Sequence, residues 1–327
     1  MTTPFPLLRL SRLALIPVLQ HMELIEVIAF SLLSKKARNL SKICRKLSAI
    51  SMNLFVESDH LYIKVDLRGG KSVPLYFYTE SAPQLVNVMS QRRRFTHENS
   101  GLSVSQWAER ILDVTSCESI CHLELKGSPQ LDVCDTFGKL KNIWKLYIFN
   151  ECSDNFAKKA LEIILPVTRE ITFYRIPLKT REEFQTFLKS NLNYLNIHTS
   201  TFQKFKFTLD DLLNTNLLKL KLRQVKLSAT DISQFLTNWF HSKRNSRLEH
   251  LHLYVKRVGN ATCLPEVLNA VPFPVNEERT FRYSKQLDTL SESFLGGYDI
   301  ERADGKKSTT LFGTFYGGTF FDFYVWP

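Results

Sequence analysis

A short apolar-x-apolar tripeptide recurs at nearly even intervals through the second half of the chain. Its copies begin at residues 123, 146, 171, 195, 220 and 251, so that successive copies start 23 to 31 residues apart. A period of about 20–29 residues is typical of leucine-rich repeats, in which each repeat contributes one strand. The spacing therefore predicts an α/β fold in which residues 116–327 form an irregular leucine-rich-repeat-like solenoid.

Helical patterns lie between these predicted strands. Ser228 and Asp231 have the spacing of a capping box, and apolar residues follow at helical period over 232–239. Thr180 and Glu183 form a similar box before another apolar stripe. Strands that alternate with helices favour a parallel sheet, because the crossover connections are right-handed.

Two β-hairpins are predicted at the ends of this array. Residues 61–67 and 73–78 alternate in polarity around a Gly-Gly pair, and residues 298–302 and 308–312 flank Asp304-Gly305. An aromatic strand is expected at 320–326. Because the terminal repeats of a solenoid must shield an open core, we expect these hairpins to cap it.

The first 50 residues are apolar and basic. Leucine and isoleucine recur at helical period, which predicts two or three short helices. So small a unit cannot bury all of these side chains, and part of its surface is expected to meet a partner. Eight Lys or Arg stand against two acids in this segment, whereas the other residues hold 35 against 30. Such a surface suits an acidic protein partner, although a solvated basic helix face explains the charge equally well.

This N-terminal segment resembles the F-box of nematode-type families. The matching residues are Phe5, Pro6, Leu7, Leu8, Leu10, Met22, Glu26, Ser31, Ser34, Lys35 and Lys36. It departs from the pattern at Ser11 and Leu24, where the family usually has prolines, and at Glu23. The resemblance implies a Skp-type adaptor and a cullin scaffold as partners, with adaptor contacts from Phe5, Pro6, Leu7, Leu8, Leu10, Met22, Ile25, Ile28 and Leu33.

The C-terminal region resembles the F-box-associated domain of the second type. The similarity is carried by residues 217–251, and the tail at 298–306 also matches. We therefore expect an F-box at 4–47, a connecting hairpin and helix region at 52–115, and a substrate-binding domain at 116–327.

The predicted strands also define a candidate substrate face. If the Leu-x-Leu side chains point into the core, their neighbours point to the opposite face. The candidate substrate-binding residues are Tyr147, Tyr174, His198, Lys221, Arg223, His252 and Tyr254. Aromatic and cationic groups of this kind are common in protein interfaces, but a solvated sheet face would carry them too.

Catalytic and metal motifs are not found in the sequence. Gly70-Lys71-Ser72 lacks the first glycine of a phosphate-binding loop, and His250, His252 and Cys263 lack further ligands at zinc spacing. We expect no enzyme activity, no metal and no cofactor. Six sparse cysteines and no long apolar run indicate a cytoplasmic or nuclear protein without a membrane span.

The sequence thus predicts a substrate-recruiting adaptor of a Skp–cullin–F-box ubiquitin ligase, with an unknown protein substrate. The alternative is a basic leucine-rich scaffold that binds nucleic acid or a structural partner without a ligase. Arg92-Arg93-Arg94 is the best local cluster for nucleic acid, but no recognised motif accompanies it, so nucleic acid is not the partner we expect.

Overall fold

The structure is a computed structural model. It describes residues 10–43, 49–67, 70, 72–78, 85–90, 93–98, 103–115, 117, 119–129, 133–140, 142–198, 207–241, 247–255, 264, 266–315 and 318–327. The chain divides into two compact units. Unit 1 comprises residues 1–146 and 151–167, and unit 2 comprises residues 147–150 and 168–327.

Unit 1 begins with three short helices and continues with strands and further helices. In chain order these are α1 Arg12–His21, α2 Leu24–Leu33, α3 Lys35–Ile43, β1 Ala49–Val56, β2 His60–Leu67, β3 Ser72–Tyr78, β4 Leu85–Ser90, β5 Arg93–Glu98, α4 Val104–Thr115, β6 Ile120–Leu125, α5 Cys134–Phe137, β7 Ile143–Ile148 and α6 Asp154–Ile164. Strands of this unit lie in the order β7-β6-β1-β2-β3-β4-β5. β1 runs parallel to β6, and every pairing from β1 to β5 is antiparallel.

Unit 2 alternates strands and helices before it ends in four long strands. Its elements are β8 Thr168–Phe173, α7 Arg181–Leu188, β9 Tyr194–Ile197, α8 Leu209–Leu213, β10 Lys219–Val225, α9 Ala229–Phe240, β11 His250–Val255, β12 Val271–Arg282, β13 Ser291–Glu301, β14 Lys307–Phe315 and β15 Gly318–Val325. The strand order is β8-β9-β10-β11-β15-β14-β13-β12. β8 to β11 are parallel, and β15 pairs antiparallel with β11.

Individual elements follow the sequence pattern closely. All six apolar tripeptides lie in β6 to β11, and both hairpins form, as β2–β3 and β13–β14. The hydroxyl of Ser228 accepts a hydrogen bond from the Asp231 backbone N–H at 3.1 Å, and Thr180 caps α7 in the same way. These predictions of strands, hairpins and helix starts are confirmed.

The predicted solenoid is wrong. The architecture is a mixed sheet, mostly β, in which antiparallel strands continue the parallel ones. The physical reason lies in the aromatic strand β15. Its Phe321 and Phe323 are fully buried and align with Leu253 and Leu251 of β11, so β15 extends the sheet instead of shielding a solenoid end.

The core of unit 2 lies between this sheet and the helices. Phe323 packs edge-on against Phe235 and Trp239 of α9, with ring centroids 5.5 and 5.0 Å apart. Apolar tripeptide residues such as Leu220 and Leu222 are completely buried on the same face. The side chains between them therefore lie on the opposite face of the sheet.

Candidate functional site

Four parallel strands of unit 2 bring several predicted substrate-binding residues into one row. Phe173 aligns with Ile197, Ile197 with Leu222, and Arg223 with Tyr254. One residue further along these strands, Tyr174, His198 and Arg223 continue the same register. A cross-strand row consequently contains Tyr174, His198, Arg223 and Tyr254, and we call it the binding row.

Stacked rings occupy one end of the binding row. Tyr174 stacks on His198 with ring centroids 4.3 Å apart and planes within 17°. On its other side Tyr174 stacks on Phe149, at 4.6 Å and 10°. The predicted Tyr147 lies 6.5 Å from Phe149 along the same segment. Phe149 was not predicted from the sequence, although the period-two alternation from Tyr147 places it on this face.

Two cations, both predicted from the sequence, follow the rings. Arg223 is exposed and Lys221 is partly buried. Neither forms an ion pair with a carboxylate of the described residues. Burial and the nearby Arg223 and Lys221 lower the pKa of His198 from 6.5 to about 4, so its imidazole is neutral near pH 7. Asn196 Nδ2 lies 3.3 Å from His198 Nε2.

His252, also predicted, has a different environment. Its Nδ1 lies 2.7 Å from Oδ1 of Asp322 on β15, and Nε2 of His250 lies 2.9 Å from the same oxygen. Burial acts to raise the pKa of Asp322, but the two histidine partners outweigh it and hold that pKa well below its usual value. The two histidines thus bind a carboxylate, and no group of three or more potential metal ligands occurs in the part of the chain that the structure describes.

A buried polar network continues from His250. The Tyr283 hydroxyl lies 2.7 Å from His250 Nδ1, accepts a hydrogen bond from Lys219 Nζ at 3.0 Å and donates one to Glu292 at 2.5 Å. Lys219 Nζ also lies 3.4 Å from Glu292 and 4.1 Å from the centre of the Tyr283 ring. Burial lowers the pKa of Lys219, against the opposing effect of Glu292. This network ties β10 and β11 to β13 and to the chain after β12.

The helices of the N-terminal segment have their own small core. Leu15, Leu19, Phe30, Ala37 and Leu40 form it, and Leu10, Ile16 and Met22 pack partly buried against it. The helices also contact α4 of unit 1, where Asp113 pairs with Arg38 and Lys42, and Arg110 Nη1 donates to the Ser31 carbonyl at 2.9 Å.

Caps replace the prolines that the family pattern usually has. The Ser11 hydroxyl accepts a hydrogen bond from the Ala14 backbone N–H at 3.4 Å at the start of α1. At the start of α2, the Glu23 backbone N–H donates to the Glu26 carboxylate at 2.8 Å. These contacts satisfy backbone groups that a helix start leaves open, so both helices form without the usual prolines.

The predicted adaptor residues occupy different environments. Ile28 is fully buried and Leu33 is 69% exposed, whereas Leu10 and Met22 are partly buried. Phe5, Pro6, Leu7 and Leu8 lie outside the described residues, as does the side chain of Ile25. Exposed Leu13, at 83%, and Val18, at 39%, were not predicted.

Across the described residues, no helix has both the length and the apolar character needed to cross a membrane. Cys263 and Arg92 lie outside the described residues, as do the side chains of Arg93 and Arg94.

Comparison with known proteins shows that two segments of this chain match protein families. The F-box domain family matches residues 7–49, which include α1 to α3, and the F-box associated family matches residues 183–253, which include His198, Lys221, Arg223 and His252. The F-box associated domain-containing protein sdz-33 of Caenorhabditis elegans is 21% identical over 323 residues, covering 98% of this chain and 97% of that protein. No solved structure matches the chain.

The chain therefore contains an F-box domain and an F-box associated domain, and it has a nematode homologue of this kind. At the level of these families, such proteins are substrate-recognition adaptors of Skp–cullin–F-box ligases and are generally not enzymes. F-box domains bind the Skp-type subunit of the ligase.

Proposed function

We propose that this protein recruits a protein substrate to a Skp–cullin–F-box ubiquitin ligase. The helical segment within 4–47 binds the Skp-type adaptor, which links it to the cullin, and the binding row within 116–327 holds the substrate. Ubiquitin transfer takes place on other subunits. The F-box match over α1 to α3 is the observation that carries this proposal.

Exposed apolar side chains on the helices support it. Leu13 and Leu33 are 83% and 69% exposed, although the helices have a core of their own. Burying one such side chain in an interface contributes about 1.5–3 kcal/mol. The exposed Lys35 and Lys36 lie beside Leu33, and their charge favours encounter with an acidic partner.

Capture of a purified Skp-type adaptor tests the proposal. The double variant Leu13→Asp, Leu33→Asp is expected to weaken adaptor binding by at least about tenfold, because each change removes apolar contact area and adds a desolvated charge. Leu290→Asp is the matched control, since Leu290 is 79% exposed and lies in unit 2. Equal capture of the adaptor by the unchanged protein, the double variant and Leu290→Asp would contradict the proposed role of these helices.

Salt dependence separates this function from the basic scaffold. Binding dominated by phosphate contacts weakens steeply between about 50 and 200 mM salt, whereas an apolar contact changes little. We expect adaptor capture to persist across this range. A steep loss, together with retention of nucleic acid, would favour the scaffold instead.

A further inference from the structure

The binding row presents donors and positive edges rather than ring faces. Phe149, Tyr174 and His198 stack face to face, so their negative π faces are covered by one another. The edge of an aromatic ring carries partial positive charge. A ligand bound beside this stack therefore meets the weakly positive ring edges rather than the shared ring faces.

Formal charge adds to this field. Arg223 and Lys221 stand next to His198, and no described carboxylate forms an ion pair with either. The nearest acid in register, Asp322, is already engaged by His250 and His252. Positive charge on this part of the face is therefore uncompensated, and its natural complement is a carboxylate.

Asn196 adds a polar amide beside His198 on this face. Its Oδ1 atom is buried and has no hydrogen-bond partner among the described residues. Under the proposed function the bound chain is a protein segment, and its carboxylate side chains are the groups that match these cations.

We propose that the binding row and the adjacent Lys221 hold an extended acidic segment of the protein substrate, with a carboxylate bound by Arg223 and a second one by Lys221. The inference rests on the proposed function and names the chemical class of the substrate that the face selects. Arg223 is suited to the first contact because its planar guanidinium binds a carboxylate through two parallel hydrogen bonds.

Peptide binding to the full chain tests the inference. Two fluorescein-labelled peptides, five Glu-Ser repeats and five Gln-Ser repeats, are titrated with protein and followed by anisotropy. We expect the Glu peptide to bind at least about tenfold more tightly, and Arg223→Gln to weaken it by about tenfold, as loss of a charge-assisted hydrogen bond requires. Arg282→Gln, the same charge change at an exposed position of β12, should alter the affinity less than twofold.

Several outcomes overturn the inference. They are equal binding of the two peptides, equal loss with Arg282→Gln, or tighter binding of a ten-nucleotide oligothymidylate. Lys221→Gln is the second variant if Arg223→Gln proves unfolded by circular dichroism. Because this assay contains no adaptor, failure of peptide binding would not count against the proposed adaptor binding. The double variant Leu13→Asp, Leu33→Asp should still bind the Glu peptide.

Discussion

Removal of the Tyr283 hydroxyl is expected to lower the free energy of unfolding of unit 2 by about 1.5–4.5 kcal/mol. The hydroxyl contacts His250, Lys219 and Glu292 at 2.7, 3.0 and 2.5 Å. Side chains of His250 and Lys219 are 2% and 8% exposed and cannot regain a water partner, whereas Glu292 is 43% exposed and can. His250 Nδ1 is then left without a hydrogen-bond partner among the described residues, at about 1–3 kcal/mol. Lys219 loses one hydrogen bond but keeps Glu292 at 3.4 Å, at about 0.5–1.5 kcal/mol, and the two losses together give the expected value.

Urea unfolding of Tyr283→Phe, followed by tryptophan fluorescence, measures this loss. The midpoint should fall while the dependence on urea concentration stays constant, since the surface exposed on unfolding is unchanged. Tyr298→Phe is the matched control, because Tyr298 is 37% exposed and its hydroxyl has no hydrogen bond to a described residue. We expect that control to change the free energy of unfolding by less than about 0.5 kcal/mol. Equal midpoints for the two variants would refute the stabilising role of the network.

Two further predictions concern His198 and the glycines of the C-terminal strands. Burial, with Arg223 and Lys221 facing from β10, lowers the pKa of His198 to about 4; Tyr174 from the β8 side and Asn196 from its own strand are its other neighbours. The folded protein therefore binds fewer protons than the unfolded chain between about pH 4 and 6.5. Stability should therefore fall as the pH drops through that window, by less in His198→Gln, and an imidazole NMR titration midpoint at 6.5 would contradict the cause. Gly297→Ala should lower the free energy of unfolding more than Gly305→Ala does, by at least about 1 kcal/mol. At φ +119° a Cβ on residue 297 would lie 2.7 Å from the Thr310 carbonyl oxygen, whereas Gly305, at φ +82°, has open space around it. Equal losses in urea unfolding would argue against that close approach.

Local elements were predictable because their signals are local. Capping boxes, two hairpin turns and the apolar tripeptides each depend on residues within a short stretch of sequence, and each lies where the pattern indicated. The architecture depends on pairing between distant segments. The antiparallel pairing of β15 with β11 joins Phe323 to Leu251, and no spacing within either strand indicates that partner.

The predicted binding face shows the same division. Period-two alternation predicted that Tyr174, His198 and Arg223 share one face, and in the structure they are neighbours on one face. Their role in binding stays a prediction. Phe149 was missed because it follows the end of β7, where the apolar tripeptide offers no further signal. Tyr283 was missed because its network partners lie in other strands.

Strand β10 carries residues of the stabilising network and residues of the proposed binding face in one sequence pattern. Lys219, Lys221 and Arg223 alternate with leucines, and nothing in that pattern distinguishes one cation from another. In the structure Lys219 is only 7% exposed, Lys221 is partly buried and Arg223 is exposed. Glu292, which is 73 residues away in sequence, neutralises the first, while the described carboxylates leave the other two without an ion pair. Burial by a distant strand therefore decides which cations hold the sheet together and which remain available for the proposed acidic partner.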